Sequence, residues 1–121
     1  MRRYARICWV LTIVYWCGLF MLTHVPAHVL PPYKVTDKTA HSICYGLLAT
    51  GLFVSMFLSK RRRASDVAIL VLGIMLAYGA IDEWSQIPVG RSCEMADWFA
   101  DAAGSSVAVV VSTIVSTFFA G

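Results

Sequence analysis

Residues 78–104, YGAIDEWSQIPVGRSCEMADWFADAAG, decide how the chain is read. They hold five of its seven acidic residues, Asp82, Glu83, Glu94, Asp97 and Asp101, between two apolar runs at 67–81 and 102–120. An ionisable side chain at the mouth of a membrane segment is costly, so its presence there is a functional hypothesis by default. Pro88 and Gly90 interrupt the stretch and bring a helix to an end. The acids therefore stand where two apolar helices are joined.

Working outward, the rest of the chain has the same character. Its 121 residues are 59% hydrophobic and only 14% charged, against about 45–50% and about 25% in soluble proteins. A spanning helix needs about 20 largely apolar residues. Four such segments, at about 7–24, 38–59, 67–85 and 97–120, fill the chain as one domain over 1–121. The expected fold is all-α, an integral membrane four-helix bundle. The first segment follows Arg2, Arg3 and Arg6 as a signal peptide would, but its apolar run is too long and no small-x-small cleavage site follows, so it reads as a retained helix. Pro26, Pro31 and Pro32 mark a loop after it, with His24 and His28 expected in water or at the lipid interface. Asp37 or Thr36 is placed to cap the second helix and Asp66 the third.

Basic residues set the orientation. Arg2, Arg3 and Arg6 with the run 60–63 (KRRR) lie on one side, against Lys34, Lys38 and Arg91 on the other. By the positive-inside bias both termini are cytoplasmic, N-in and C-in, and the acidic end faces out of the cell. Net charge is only +3 and its carriers are clustered at the ends of the spans, which gives no reason to expect nucleic acid. The four cysteines, Cys8, Cys17, Cys44 and Cys93, show no CxxC or zinc-ligand spacing and read as free thiols, with Cys44–Cys93 the one pairing worth testing.

Helical spacing then gathers a polar constellation at the outer end. Asp37, His41 and Tyr45 recur every four residues, with Lys38 beside them; Gly79, Asp82, Glu83 and Gln86 share a face of the third helix. Asp97, Asp101, Gly104, Ser105, Ala108 and Ser112 form a polar and small stripe on the fourth, where small residues permit close helix approach in lipid. Arg91 lies in the loop between.

Three chemistries are open to this set. Asp82, Glu83 and His41 are candidates for a general acid and base. His41, Asp82, Glu83, Asp97 and Asp101 are candidate ligands of a divalent cation. Arg91 and Lys38 are candidates to hold a phosphate or carboxylate head group. Against all three stands a structural reading, in which the acids pair with Lys38 and Arg91 and cap helices; it suits Asp37 and Asp97, near helix N-termini, better than Asp82, Glu83 and Asp101. No Walker loop, GxGxxG, HExxH, GxSxG or CxxCH is present.

The ordered motifs THVPAH, DKTAHSICYGLLA and YGAIDEWSQIPVGRSCEMADWFADAAG resemble the VanZ-like family of small bacterial membrane proteins. Asp37, Lys38, His41 and Tyr45 match its first signature, and Asp82, Glu83, Gln86, Pro88, Arg91, Asp97 and Gly104 its second. Asp101 departs from it, since many members carry Asn there. The resemblance implies a multi-pass protein of the bacterial cell (inner) membrane, in a family whose founding member is associated with teicoplanin resistance. The reading that follows is a module binding an envelope lipid head group, a lipid-linked precursor or an amphiphilic glycopeptide through Asp37, Lys38, His41, Tyr45, Asp82, Glu83, Gln86, Arg91, Asp97 and Asp101. The alternatives are a membrane-embedded hydrolase or transferase acting on such a lipid, and an assembly module that sets helix register in a homo-oligomer or partner complex.

Overall fold

Inside a bilayer each backbone N–H and C=O must find its partner within the segment, which leaves the α-helix as the economical solution for an isolated span. A computed structural model, describing residues 2–26, 37–59, 62–90 and 95–120, is all-helical. Its helices are α1 (Arg2–Thr23), α2 (Asp37–Ser59), α3 (Ala64–Ser85) and α4 (Met95–Ala120), with a 3-10 turn at Ile87–Val89 after α3. Each is long and apolar enough to cross a membrane. Even the shorter ones, at 22 residues, reach about 33 Å at about 1.5 Å per residue, against a hydrocarbon core of about 30 Å.

The distribution of side chains suits hydrocarbon as the surrounding solvent. Val10, Val14, Ile69, Val107, Phe118 and Phe119 are exposed on the outside. Asp82, Glu83, Gln86, Asp101, Ser55 and Ser105 are buried within. So much exposed apolar surface would be an aggregation liability in water, whereas lipid solvates it.

α2 is central and packs against the other three helices, while α4 also packs along α3. Tyr45, Leu48, Ala49, Leu52 and Phe53 of α2 meet Leu19 of α1, Val67, Val71 and Met75 of α3 and Val109 of α4 in the core. Small residues allow the closest approach: a Cβ on Gly104 would lie 2.8 Å from the Ser42 Cα, and one on Gly46 would lie 3.2 Å from the Gly104 carbonyl oxygen. Polar bonds tie both ends. Trp9 Nε1 donates to Ser59 Oγ at 2.7 Å, Thr12 and Ser55 hydroxyls pair at 3.1 Å, and Ser42 Oγ donates to the Ala100 carbonyl at 2.9 Å.

The helix boundaries differ from expectation chiefly at the N-termini. α1 begins at Arg2 and takes the three arginines into its first turns, since nothing before Ile7 breaks a helix. α3 begins at Ala64, so Asp66 is not its cap; Arg63 occupies that position with an extended backbone and no side-chain cap bond. Asp66 sits in the first turn instead, where its charge still meets the helix dipole favourably. The end of α3 is as expected: Gly90 takes a φ of 77°, in the left-handed region that glycine tolerates, and its N–H bonds to the Ile87 carbonyl. Cys8, Cys17 and Cys44 are free; Cys93, the proline loop at 27–36, most of the loop around Arg91, and residues 60 and 61 lie outside the described residues.

Candidate functional site

α3 ends at Ser85, one turn after it delivers Asp82 and Glu83 to the interior, and this ending is what concentrates polar groups there. Asp82 is fully buried. Thr23 Oγ1, at the last turn of α1, donates to its Oδ1 at 2.9 Å; the Tyr45 hydroxyl of α2 and the Gln86 amide (3.1 Å) both donate to its Oδ2. His24 Nδ1 stands 3.8 Å from the same Oδ1. A buried carboxylate loses several kcal/mol of hydration, on the order of what three bonds to a charged acceptor return at about 1.5–3 kcal/mol each. Asp82 thus joins α1, α2 and α3, and its acceptor positions are largely taken.

A second group lies beside it. His41 Nδ1 of α2 is 2.9 Å from Asp101 Oδ1 of α4 and 3.8 Å from Glu83 Oε1 of α3. One ligating atom from each of His41, Glu83 and Asp101 falls within 4.8 Å of the others. Both carboxylates are 2% exposed. Asp101 Oδ2 is buried and has no hydrogen-bond partner among the described residues; the same holds for Ser105 Oγ, one turn along α4. Unlike Asp82, Asp101 has unused capacity.

Aromatic rings connect the two groups. Tyr45 lies parallel to His41, with ring centroids 6.0 Å apart and planes at 8°, and it stacks on Tyr78 at 5.7 Å. Trp16 of α1 meets the edge of Tyr78 at 5.0 Å. Trp98, in the first turns of α4, donates to the Leu76 carbonyl at 3.1 Å, and its ring would be 3.4 Å from a Cβ on Gly79. The small side of α3 therefore lets α4 come close, and a Cβ on Gly79 would also lie 3.7 Å from the Asp101 Cβ.

The expected constellation divides accordingly. His41, Tyr45, Asp82, Glu83, Gln86 and Asp101 meet inside the bundle. Lys38 is exposed in the first turn of α2, and Asp97 is half-buried in the first turn of α4. Asp37 opens α2; Arg91 lies outside the described residues.

Thr23, His24, Ser85 and Tyr78 join the site without having been singled out for it. His24 in particular is not freely solvated. The helix of α1 carries on to Thr23 despite the nearby Pro26, and His24 Nδ1 donates to the Phe20 carbonyl at 2.8 Å while Nε2 meets Ser85 Oγ at 2.8 Å. The threonine and histidine of THVPAH were the available signal. A cavity of about 170 Å³ between α1 and α2, lined by Leu11, Thr12, Tyr15, Leu47, Leu48 and Gly51, lies toward mid-span, away from the acids.

Comparison with known protein families, with characterised proteins and with solved structures finds no match for this chain.

Proposed function

We propose that this is a four-span protein of the bacterial inner membrane, both termini cytoplasmic, that binds the head group of an envelope lipid, a lipid-linked precursor or an amphiphilic glycopeptide at its acidic outer end. The observation that carries the reading is the convergence of His41, Glu83 and Asp101 from three helices, buried, with Asp101 Oδ2 lacking a hydrogen-bond partner among the described residues. Ionised carboxylates only accept hydrogen bonds. Their natural complement is a group rich in donors, such as sugar hydroxyls or an ammonium, or a cation. Lys38, exposed on the same end of α2, supplies positive charge for a phosphate or carboxylate on the same ligand. The residues around Asp82 have the separate task of holding α1, α2 and α3 together.

Thermal stability of the purified protein in detergent, measured with a panel of envelope lipids, tests the proposal. A specific lipid at 100 times its dissociation constant stabilises by about 2.7 kcal/mol, and Glu83→Gln abolishes the shift. If no lipid shifts the parent, or the variant responds as the parent does, the head-group reading fails.

The 2.9 Å His41–Asp101 pair beside Glu83 favours a second reading, a hydrolase or transferase acting on such a lipid. In that case the parent releases a product detectable by mass spectrometry, while Glu83→Gln still binds the lipid without turning it over.

A further inference from the structure

We infer that His41, Glu83 and Asp101 form a binding site for one divalent metal ion of the Mn2+ or Zn2+ type. The inference deepens the head-group reading and rests on it only in that the ion faces the same ligand. The ion itself needs no lipid.

Three observations carry it. The first is the donor set: two carboxylates and an imidazole from three different helices, with ligating atoms within 4.8 Å of one another. Tetrahedral ligands about 2.1 Å from an ion stand about 3.4 Å apart. His41 Nδ1 lies 2.9 Å from Asp101 Oδ1 and 3.8 Å from Glu83 Oε1, on either side of that value. Small side-chain rotations bring all three onto one centre.

The second observation is independent of the spacing. Asp101 is 2% exposed, yet its Oδ2 has no hydrogen-bond partner among the described residues. A buried carboxylate oxygen left so is costly, whereas an ion held by both oxygens of the Asp101 carboxylate satisfies it. Neighbouring Asp82 shows what the fold does where a carboxylate is merely structural, since it receives donors from Thr23, Tyr45 and Gln86.

The third is charge. Two carboxylates and a neutral imidazole around a divalent ion sum to zero, the state least costly to hold among apolar helices. One imidazole with two carboxylates selects against Mg2+ and Ca2+, which favour all-oxygen shells, and toward Mn2+ or Zn2+. Tyr45, one turn along α2, lies parallel to the His41 ring with centroids 6.0 Å apart. Three protein ligands leave a position open for an oxygen of a lipid phosphate.

The test uses the full chain in detergent, stripped with chelator and dialysed against MnCl2 or ZnCl2 without lipid. The expected result is one ion per chain by elemental analysis, with the multiple-scattering signature of one imidazole in the X-ray absorption of the bound ion. Changes to supporting neighbours already cost about 10- to 100-fold in metal affinity, so His41→Gln and Asp101→Asn each weaken binding by about 100-fold or more. His24→Gln, at the neighbouring Asp82 group, retains the imidazole signature. Binding of neither ion at millimolar concentration overturns the site, as does an ion bound without an imidazole, or one whose imidazole is lost with His24→Gln and kept with His41→Gln. The absorption measurement on the parent decides the matter even where a variant fails to fold. In a parallel arm with chelator present throughout, a lipid-induced stability shift of unchanged size shows that lipid binding needs no ion; it overturns the contact between ion and lipid and leaves the head-group reading standing.

Discussion

Asp82 and Asp101 are both buried aspartates at the same end of the bundle, yet the physics around them is opposite. Asp82 accepts from Thr23, Tyr45 and Gln86; its removal leaves Thr23 the Phe20 carbonyl at 3.0 Å but takes the acceptor of the Tyr45 hydroxyl and the Gln86 amide. Leaving a buried donor unsatisfied costs about 1–3 kcal/mol, and Asp82→Ala is expected to lose about 3 kcal/mol or more of stability in reversible unfolding from mixed detergent and SDS micelles. Tyr45→Phe removes one bond to a charged acceptor and is expected to lose about 1.5–3 kcal/mol. Asp101→Asn should behave differently: its Oδ1 still accepts from His41, its shape is unchanged, and the oxygen it replaces had no hydrogen-bond partner among the described residues. A cost within about 1 kcal/mol is expected for a substitution that leaves the existing hydrogen bond in place, together with loss of ligand or metal binding. If Asp101→Asn destabilises as much as Asp82→Ala, the division of the acids into a structural and a binding group is wrong.

At the scale of helices, the approach of α2 to α4 decides whether His41 and Asp101 meet at all. A Cβ on Gly104 would strike the backbone of Ser42, its Cα at 2.8 Å, and backbone cannot swing aside. Gly104→Ala is therefore expected to destabilise by about 1–3 kcal/mol, the cost of overpacking, and to separate the site. At Gly73 nothing lies within 4 Å, and Gly73→Ala is expected to stabilise by about 0.5–1 kcal/mol through helix propensity alone. Equal effects in the unfolding assay would mean that α2 and α4 are not in this close contact. The same contrast explains what could be read from the chain. The apolar runs predicted four helices, and four-residue spacing put His41 with Tyr45 and Asp82 with Gln86, since both signals are local. Which acid faces which partner depends on helix rotation and separation, set by Ser42 against Gly104 and by Trp98 over Gly79, and neither pairing is visible in a one-dimensional pattern. Asp66 misled as a cap because its residue type is favoured there, while the chain enters α3 three residues earlier, with Arg63 at the cap and Ala64 first in the helix.

For the whole molecule, the ligand proposed for the acidic end turns on which side of the membrane that end occupies. The described helices run alternately up and down: Trp9 bonds Ser59 at one end, and Thr23 reaches Asp82 at the other. Exposed Arg2, Arg3, Arg6, Arg62 and Arg63 belong to the Trp9 end. Cytoplasmic loops retain lysine and arginine in excess, and acids contribute little to the choice, so the Trp9 end is expected inside and the His41–Asp101 end outside. In a background with Cys8, Cys17, Cys44 and Cys93 replaced, Lys34→Cys should react with an impermeant maleimide in intact cells, and Arg62→Cys only after permeabilisation. The reverse pattern would place the acids in the cytoplasm, beyond the reach of an external glycopeptide or an outward-facing head group. A metal site would survive that reversal, because it depends only on distances within the bundle; the proposed ligand would not.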